Sequence, residues 1–161
     1  MYTMIPHNLG LQALQHTLLT FSKLHPVEIS TIVSLTELIL THNYFQFDNQ
    51  IYHQTQGTAM GSPLAPCYAN ITAHFLESPW YQQYKSQILY YGRYLDDMLL
   101  ILTCTEAKAH TMTHDFNTLH PNIQITTTFS TSSTHFLDLN IYKTPSGQLH
   151  TSTYSKHLKP H

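Results

Sequence analysis

Asp96 and Asp97 stand side by side between two apolar, strand-forming runs, Ile88-Leu89-Tyr90-Tyr91 before them and Met98-Leu99-Leu100-Ile101-Leu102 after them. No other stretch constrains the chain as strongly. The flanks predict two strands joined by a tight turn, with aspartate at the turn. Two carboxylates at the tip of an apolar hairpin repel each other unless a cation sits between them. A divalent metal answers that need, because hard cations take carboxylate oxygens. Asp96 and Asp97 are therefore candidate metal ligands.

The chain of 161 residues is long enough for one domain with a core, and a hydrophobic content of 42% marks it as globular. Only 10% of residues are charged and the formal net charge is -2. That balance argues against a strong basic footprint for nucleic acid. Cys67 and Cys104 are the only cysteines. With no basic start followed by an apolar stretch at Met1-Tyr2-Thr3-Met4, both read as reduced thiols in an intracellular setting, nucleus or cytoplasm, with no disulfide partner. No apolar run approaches the roughly 20 residues of a membrane span. His110 and His114 have helical i,i+4 spacing but no third ligand, so they read as surface histidines.

In chain order, Leu9, Leu11, Leu14, Leu18 and Phe21 predict a helix over 8–21, with Asn8 as its cap. Pro26 opens a second helix, from about Val27 to Asn43. Residues 44–47 and 51–56 alternate and are aromatic, and Asp48-Asn49-Gln50 supplies turn residues, which predicts a hairpin. Gly57 to Pro66 crowds two glycines and two prolines into one loop, whose backbone either approaches something closely or adopts unusual dihedrals. Ser62 caps, and Pro63 begins, a helix to about Tyr84 that Pro79 ends or kinks. After the Asp-Asp hairpin, Thr105 caps a helix to about Leu119. Strands follow over 123–129, 136–143 and 149–154, the last two joined by a turn at Pro145-Ser146-Gly147. The fold class is α+β: helices on one face of a mainly antiparallel sheet.

Four blocks then carry a resemblance. Gln56-Gly57-Thr58-Ala59-Met60-Gly61-Ser62-Pro63-Leu64-Ala65-Pro66, followed by Ala69-Asn70 and Leu76-Glu77, resembles the B motif of reverse transcriptases, most closely those of Penelope-like retroelements. Tyr94-Leu95-Asp96-Asp97 resembles their C motif, Y-x-D-D. Tyr2-Thr3-Met4-Ile5-Pro6-His7 resembles the tail of their A motif, of the form D-V-x-S-L-Y-T-N-I-P. Phe136-Leu137-Asp138-Leu139, Gly147-Gln148-Leu149 and Tyr154-Ser155-Lys156 resemble the hairpins that close the palm. The blocks occur in the family's order and span nearly the whole chain.

The resemblance implies a reverse-transcriptase palm, with fingers and thumb incomplete, over 1–161. It implies RNA-directed DNA polymerase chemistry with two Mg²⁺ ions, an RNA template, a DNA primer and deoxynucleotides as partners, and no membrane. Asp96 and Asp97 would be the catalytic residues of the C motif, Asp96 the main metal ligand, with Asp97 beside it. Gln56 and Gly57 would lie by the template and incoming nucleotide, and Tyr94 near the primer end. Tyr2 would form the floor under the sugar and exclude a 2′-hydroxyl. Arg93 would contact nucleic-acid backbone or decorate a strand end. Lys143 or Lys156 would grip the primer. Counting back from Tyr2, the A-motif aspartate would precede Met1, and Asp48, Asp115 and Asp138 lack the strand context to replace it. The expectation is a palm fragment truncated at both ends and inactive by itself. A non-catalytic or decayed domain that binds nucleic acid or protein is the alternative.

Overall fold

A computed structural model describes residues 2–59 and 61–154. It divides into two compact units, Met1–Gln83 with Asp115–Ile125, and Tyr84–His114 with Thr126–His161. Among the described residues, four α-helices and three small antiparallel sheets make a mixed α and β architecture.

In the first unit, α1 spans His7–Phe21 and α2 spans Pro26–Thr41. Pro6, in extended backbone, occupies the N-cap of α1, which has no side-chain cap. Asn8, expected to cap, lies inside the first turn, and its Oδ1 accepts from the Leu9 N–H at 2.9 Å. Pro6 displaces it because its fixed φ sets the entry to the helix. At α2 the proline works as expected, at the first helical position. The cap there is His25, and the Glu28 carboxylate returns to accept from the His25 N–H at 2.7 Å. The other end of α2 stops at Thr41 because two histidines take its last carbonyls. His42 Nδ1 donates to Leu38 O at 2.9 Å and His53 Nε2 donates to Thr41 O at 2.8 Å.

β1 (Tyr44–Phe47) and β2 (Gln50–His53) form the expected hairpin. Its turn is only Asp48-Asn49, both at positive φ, as a type I′ connection requires. Gln50 already belongs to the ladder, opposite Phe47. Tyr44 stacks on His53 and Phe45 on Tyr52, with ring centroids 4.8 and 5.5 Å apart. The second strand, expected to reach Gln56, stops at His53.

α3 spans Leu64–Tyr84. Ser62 Oγ accepts from the Leu64 N–H at 3.3 Å, so the expected cap is in place. Pro79 lies inside the helix and does not end it. Ala65, Tyr68, Ala69, Thr72, Ala73, Glu77 and Trp80 are buried at spacings of three and four, the inner stripe of the helix. Tyr68 and Ala69 join Ile5 and Leu40 in the core of this unit, with Leu11, Leu64 and Ile123 packed around them. Trp80 meets Phe116 edge-on at 5.4 Å.

The second unit holds two sheets. β3 (Ile88–Tyr94) pairs antiparallel with β4 (Asp97–Leu102). β5 (Ser133–Phe136), β6 (Leu139–Lys143) and β7 (Leu149–Thr153) form a meander. α4 (Glu106–Asn117) starts at Thr105, whose Oγ1 accepts from the Lys108 N–H at 3.4 Å, as expected of a cap. Its Met112 is buried and lies 4.0 Å, sulfur to sulfur, from Cys104.

Three expectations fail here. Residues 123–129 form no strand, since no neighbouring strand offers them a ladder. Residues 136–143 are not one strand: a turn at Leu137-Asp138 folds them into the β5–β6 hairpin. The strands do not join one sheet either, because β3 and β4 pair only with each other among the described strands. The Pro145-Ser146-Gly147 turn is as expected: Gly147 sits at φ +87° and its N–H donates to Thr144 O at 2.8 Å.

Candidate active site

The Asp-Asp hairpin is tighter than its sequence required. Tyr94 pairs directly with Asp97, which leaves Leu95 and Asp96 as a two-residue turn. Leu95 sits at φ +55°, a left-handed conformation that costs a leucine roughly 1 kcal/mol or more. Arg93 faces Met98 in the ladder and is half-buried. Its Nη1 donates to Leu95 O at 3.1 Å. The guanidinium thus grips the carbonyl of the strained residue, between Tyr94 and the first aspartate. Asp96, Asp97 and Tyr94 are exposed at the tip. Two adjacent carboxylates open to solvent offer hard oxygen donors that suit Mg²⁺, which keeps sites for waters and phosphates. Among the described residues no three His, Cys, Asp or Glu side chains come together as a metal site. His110 lies 3.7 Å from Glu106, an exposed pair on α4.

The same turn occurs twice in this unit. Phe136 pairs with Leu139 across Leu137-Asp138, and Leu137 sits at φ +53°. An aromatic residue, a leucine at positive φ and an aspartate therefore make both hairpin tips. Nothing in the residue types announces this, because leucine is not a residue that favours positive φ.

In the first unit, Gln56 and Gly57 are tied to the segment 4–7. Gln56 Nε2 donates to Met4 O at 3.0 Å, and Gln54 Nε2 donates to Gln56 O at 2.8 Å. The Gly57 N–H donates to Ile5 O at 3.0 Å. His7 Nε2 donates to Gly57 O at 2.8 Å, so the ring carries its proton on Nε2. Gly57 is buried at φ +75°. The glycine is thus needed for a backbone turn, and both its polar groups serve the chain's own 5–7 segment. Gly61 sits at φ +94° with open space around it. A cavity of about 300 Å³ beside this loop is lined by Ile39, Leu40, His42, Asn43, Thr58, Ala59 and Ser62.

The expected site residues therefore fall in two groups. Gln56 and Gly57 lie together in the first unit, next to a short 3-10 turn, Tyr2–Met4, that contains the backbone of Tyr2. Arg93, Tyr94, Asp96 and Asp97 lie together in the second. Lys143 ends β6 and is exposed, and Lys156 lies outside the described residues. Sequence reasoning missed His7 as the hook on Gly57. Its place next to Pro6, where a chain entering a helix exposes its ring, was the available signal. Both cysteines are free thiols, and no helix among the described residues is long and apolar enough to cross a membrane. Comparison of the chain with protein families, with curated proteins and with solved structures finds no match.

Proposed function

We propose that this chain carries the palm portion of an RNA-directed DNA polymerase, a reverse transcriptase of the Penelope-like retroelement type. The observation that carries the reading is the Tyr94-Leu95-Asp96-Asp97 tip, which follows a Gln56-to-Pro66 loop of B-motif type in the same order as in that family. A two-residue turn that exposes both carboxylates supports it, because nucleotidyl transfer needs acidic groups that reach out to ions and phosphates. The positive φ of Gly57 and Gly61 also suits a loop whose backbone has a fixed shape.

In this reading Asp96 and Asp97 would hold Mg²⁺, which supplies activation of a primer 3′-hydroxyl and charge for a leaving pyrophosphate. Asp96 would be the main ligand, with Asp97 beside it. Arg93 holds the turn from which they project. Tyr94, exposed beside them, would meet the primer end. The segment 4–7, tied to Gln56 and Gly57, would bring the A-motif strand in beside the B-motif loop.

The test is primer extension on an RNA template with Mg²⁺, using a Penelope-like reverse transcriptase whose own palm segment, from the tail of motif A through motif C, is replaced by this chain. Extension is expected, with its loss in Asp96→Asn. No extension by a folded chimera, or extension indifferent to Asp96→Asn, would overturn the reading.

A further inference from the structure

We propose that the cavity at the end of α2 is a binding site for a small neutral molecule with a primary carboxamide on a compact apolar body. The proposal is independent of the polymerase reading.

The end of α2 and the loop that leads into α3 line the cavity, and both belong to the first unit. Its volume of about 300 Å³ is the share of about ten liquid waters. That is room for a six-membered ring that carries one carboxamide, at the small end of ligand sites.

Four polar side chains line the cavity, and each keeps one hydrogen-bonding position open. Thr58 is only 2% exposed, yet its hydroxyl has no hydrogen-bond partner among the described residues. Buried hydroxyls are ordinarily satisfied, so this one marks a place for a group from outside the chain. Ser62 Oγ accepts from the Leu64 N–H at 3.3 Å, which leaves its own proton to give. His42 donates from Nδ1 to Leu38 O at 2.9 Å, so Nε2 of the neutral ring is a bare acceptor. Asn43 donates from Nδ2 to Gln54 Oε1 at 2.8 Å, and its Oδ1 has no partner among the described residues.

Two hydroxyl protons and two acceptors make a specific count. A primary carboxamide matches it: its oxygen takes two protons on two lone pairs, and its NH₂ gives two. A carboxylate has no proton to give, and an ammonium cannot accept. Ile39, Leu40 and Ala59 supply an apolar wall for the body of the ligand. No charged side chain lines the cavity, so an ionic ligand would lose its water without gaining a counter-charge. The lining is also fixed in advance. The Gly57 N–H donates to Ile5 O at 3.0 Å at one end of the loop. At the other end the Ser62 N–H donates to Ala59 O at 3.2 Å, and Ser62 O accepts from the Ala65 N–H at 3.0 Å. Such preorganisation lowers the cost of binding.

Methyl NMR titration of the full chain with benzamide tests the proposal. Saturable shifts are expected at the Ile39, Leu40 and Ala59 methyls, with a dissociation constant in the millimolar range for so small a ligand. Benzoate has the same shape with a carboxylate, and should bind at least about tenfold more weakly. Thr58→Val removes the hydroxyl and keeps the shape, and should weaken benzamide at least about fivefold. Thr58→Ser keeps the hydroxyl and should bind more tightly than Thr58→Val. The methyl spectrum shows whether each variant folds, and the comparison of benzamide with benzoate needs no variant. No shift at the three residues, benzoate bound as tightly as benzamide, or a folded Thr58→Val chain that binds like wild type would each overturn the proposal.

Discussion

Gly10 of α1 lies against Tyr68 of α3 so closely that a Cβ on the glycine would fall 2.1 Å from the phenol ring. Tyr68 cannot move aside. It is only 1% exposed, belongs to the core with Ile5, Leu40 and Ala69, and donates from its hydroxyl to His7 O at 3.1 Å. Gly10→Ala, which in a free helix would stabilise, should instead cost about 2–3 kcal/mol through overpacking. Urea unfolding of the two chains measures it. A Gly10→Ala chain as stable as wild type would show that the two helices separate easily.

Burial also pushes the Tyr68 hydroxyl well above the ordinary tyrosine range, because desolvation disfavours the phenolate. The folded state therefore holds this proton more tightly than the unfolded chain does. The resulting stability is fully present below the unfolded value of 10.0 and is lost as pH rises beyond it. Stability measured from pH 8 upward should fall above about pH 10. Tyr68→Phe should flatten that limb, at a cost of about 1 kcal/mol at neutral pH for the lost hydrogen bond.

At the Asp-Asp tip, substitutions of Leu95 should rank by backbone and not by hydrophobicity. Leu95→Gly relieves the strain at φ +55° and should stay within about 1 kcal/mol of wild type, despite losing a half-buried side chain. Leu95→Val keeps more apolar surface but branches at Cβ, and should cost about 1–2 kcal/mol. Arg93→Met removes the charged donor to Leu95 O, and should cost roughly 1.5 kcal/mol or more. Thermal or chemical denaturation of the three variants gives the order directly.

His7 should matter through Gly57. His7→Ala leaves the buried Gly57 carbonyl without its partner, at a cost of about 1–3 kcal/mol. His7→Gln retains an N–H donor and should recover part of it. Limited proteolysis should cut the loop 57–62 faster in His7→Ala than in wild type, with His7→Gln between them. Equal cleavage in all three would show that the hook does not hold the loop.

Much of the fold was legible in the residues. Helical spacing marked α1, α2 and α3 to within a few positions, and Pro26, Ser62 and Thr105 marked where helices begin. Asp48-Asn49 and Ser146-Gly147 marked turns, since these residues accept positive φ or close a turn with their own side chains. Asp96 and Asp97 were legible at a hairpin tip for the same kind of local reason: the apolar runs on either side can only be strands.

The failures share one cause. Ile123 to Phe129 alternates like a strand, but a strand exists only when another supplies its hydrogen bonds, and among the described residues no strand does so; the Asn117 side chain meets Ile125 instead. Phe136 to Lys143 reads as one run because Leu137 gives no hint of a turn, and the chain holds it at φ +53° regardless. Gly57 reads as a site of close approach, which it is, but what approaches is Ile5 and His7, some fifty positions away in the chain.

By itself, then, the sequence determined where α2 and α3 start and where an acidic hairpin turns, because those depend on neighbours within one or two turns of chain. It did not determine which helix positions are buried, since the apolar Phe21, Leu35, Leu38 and Ile39 are exposed while Thr36 is buried. The tertiary structure alone decided that Gly10 must stay small against Tyr68, that Leu95 is strained and gripped by Arg93, and that Ile125 meets the Asn117 side chain in place of a strand. Each of these rests on partners that local residue pattern does not specify, and on side chains that reach the backbone groups a ladder would otherwise have taken.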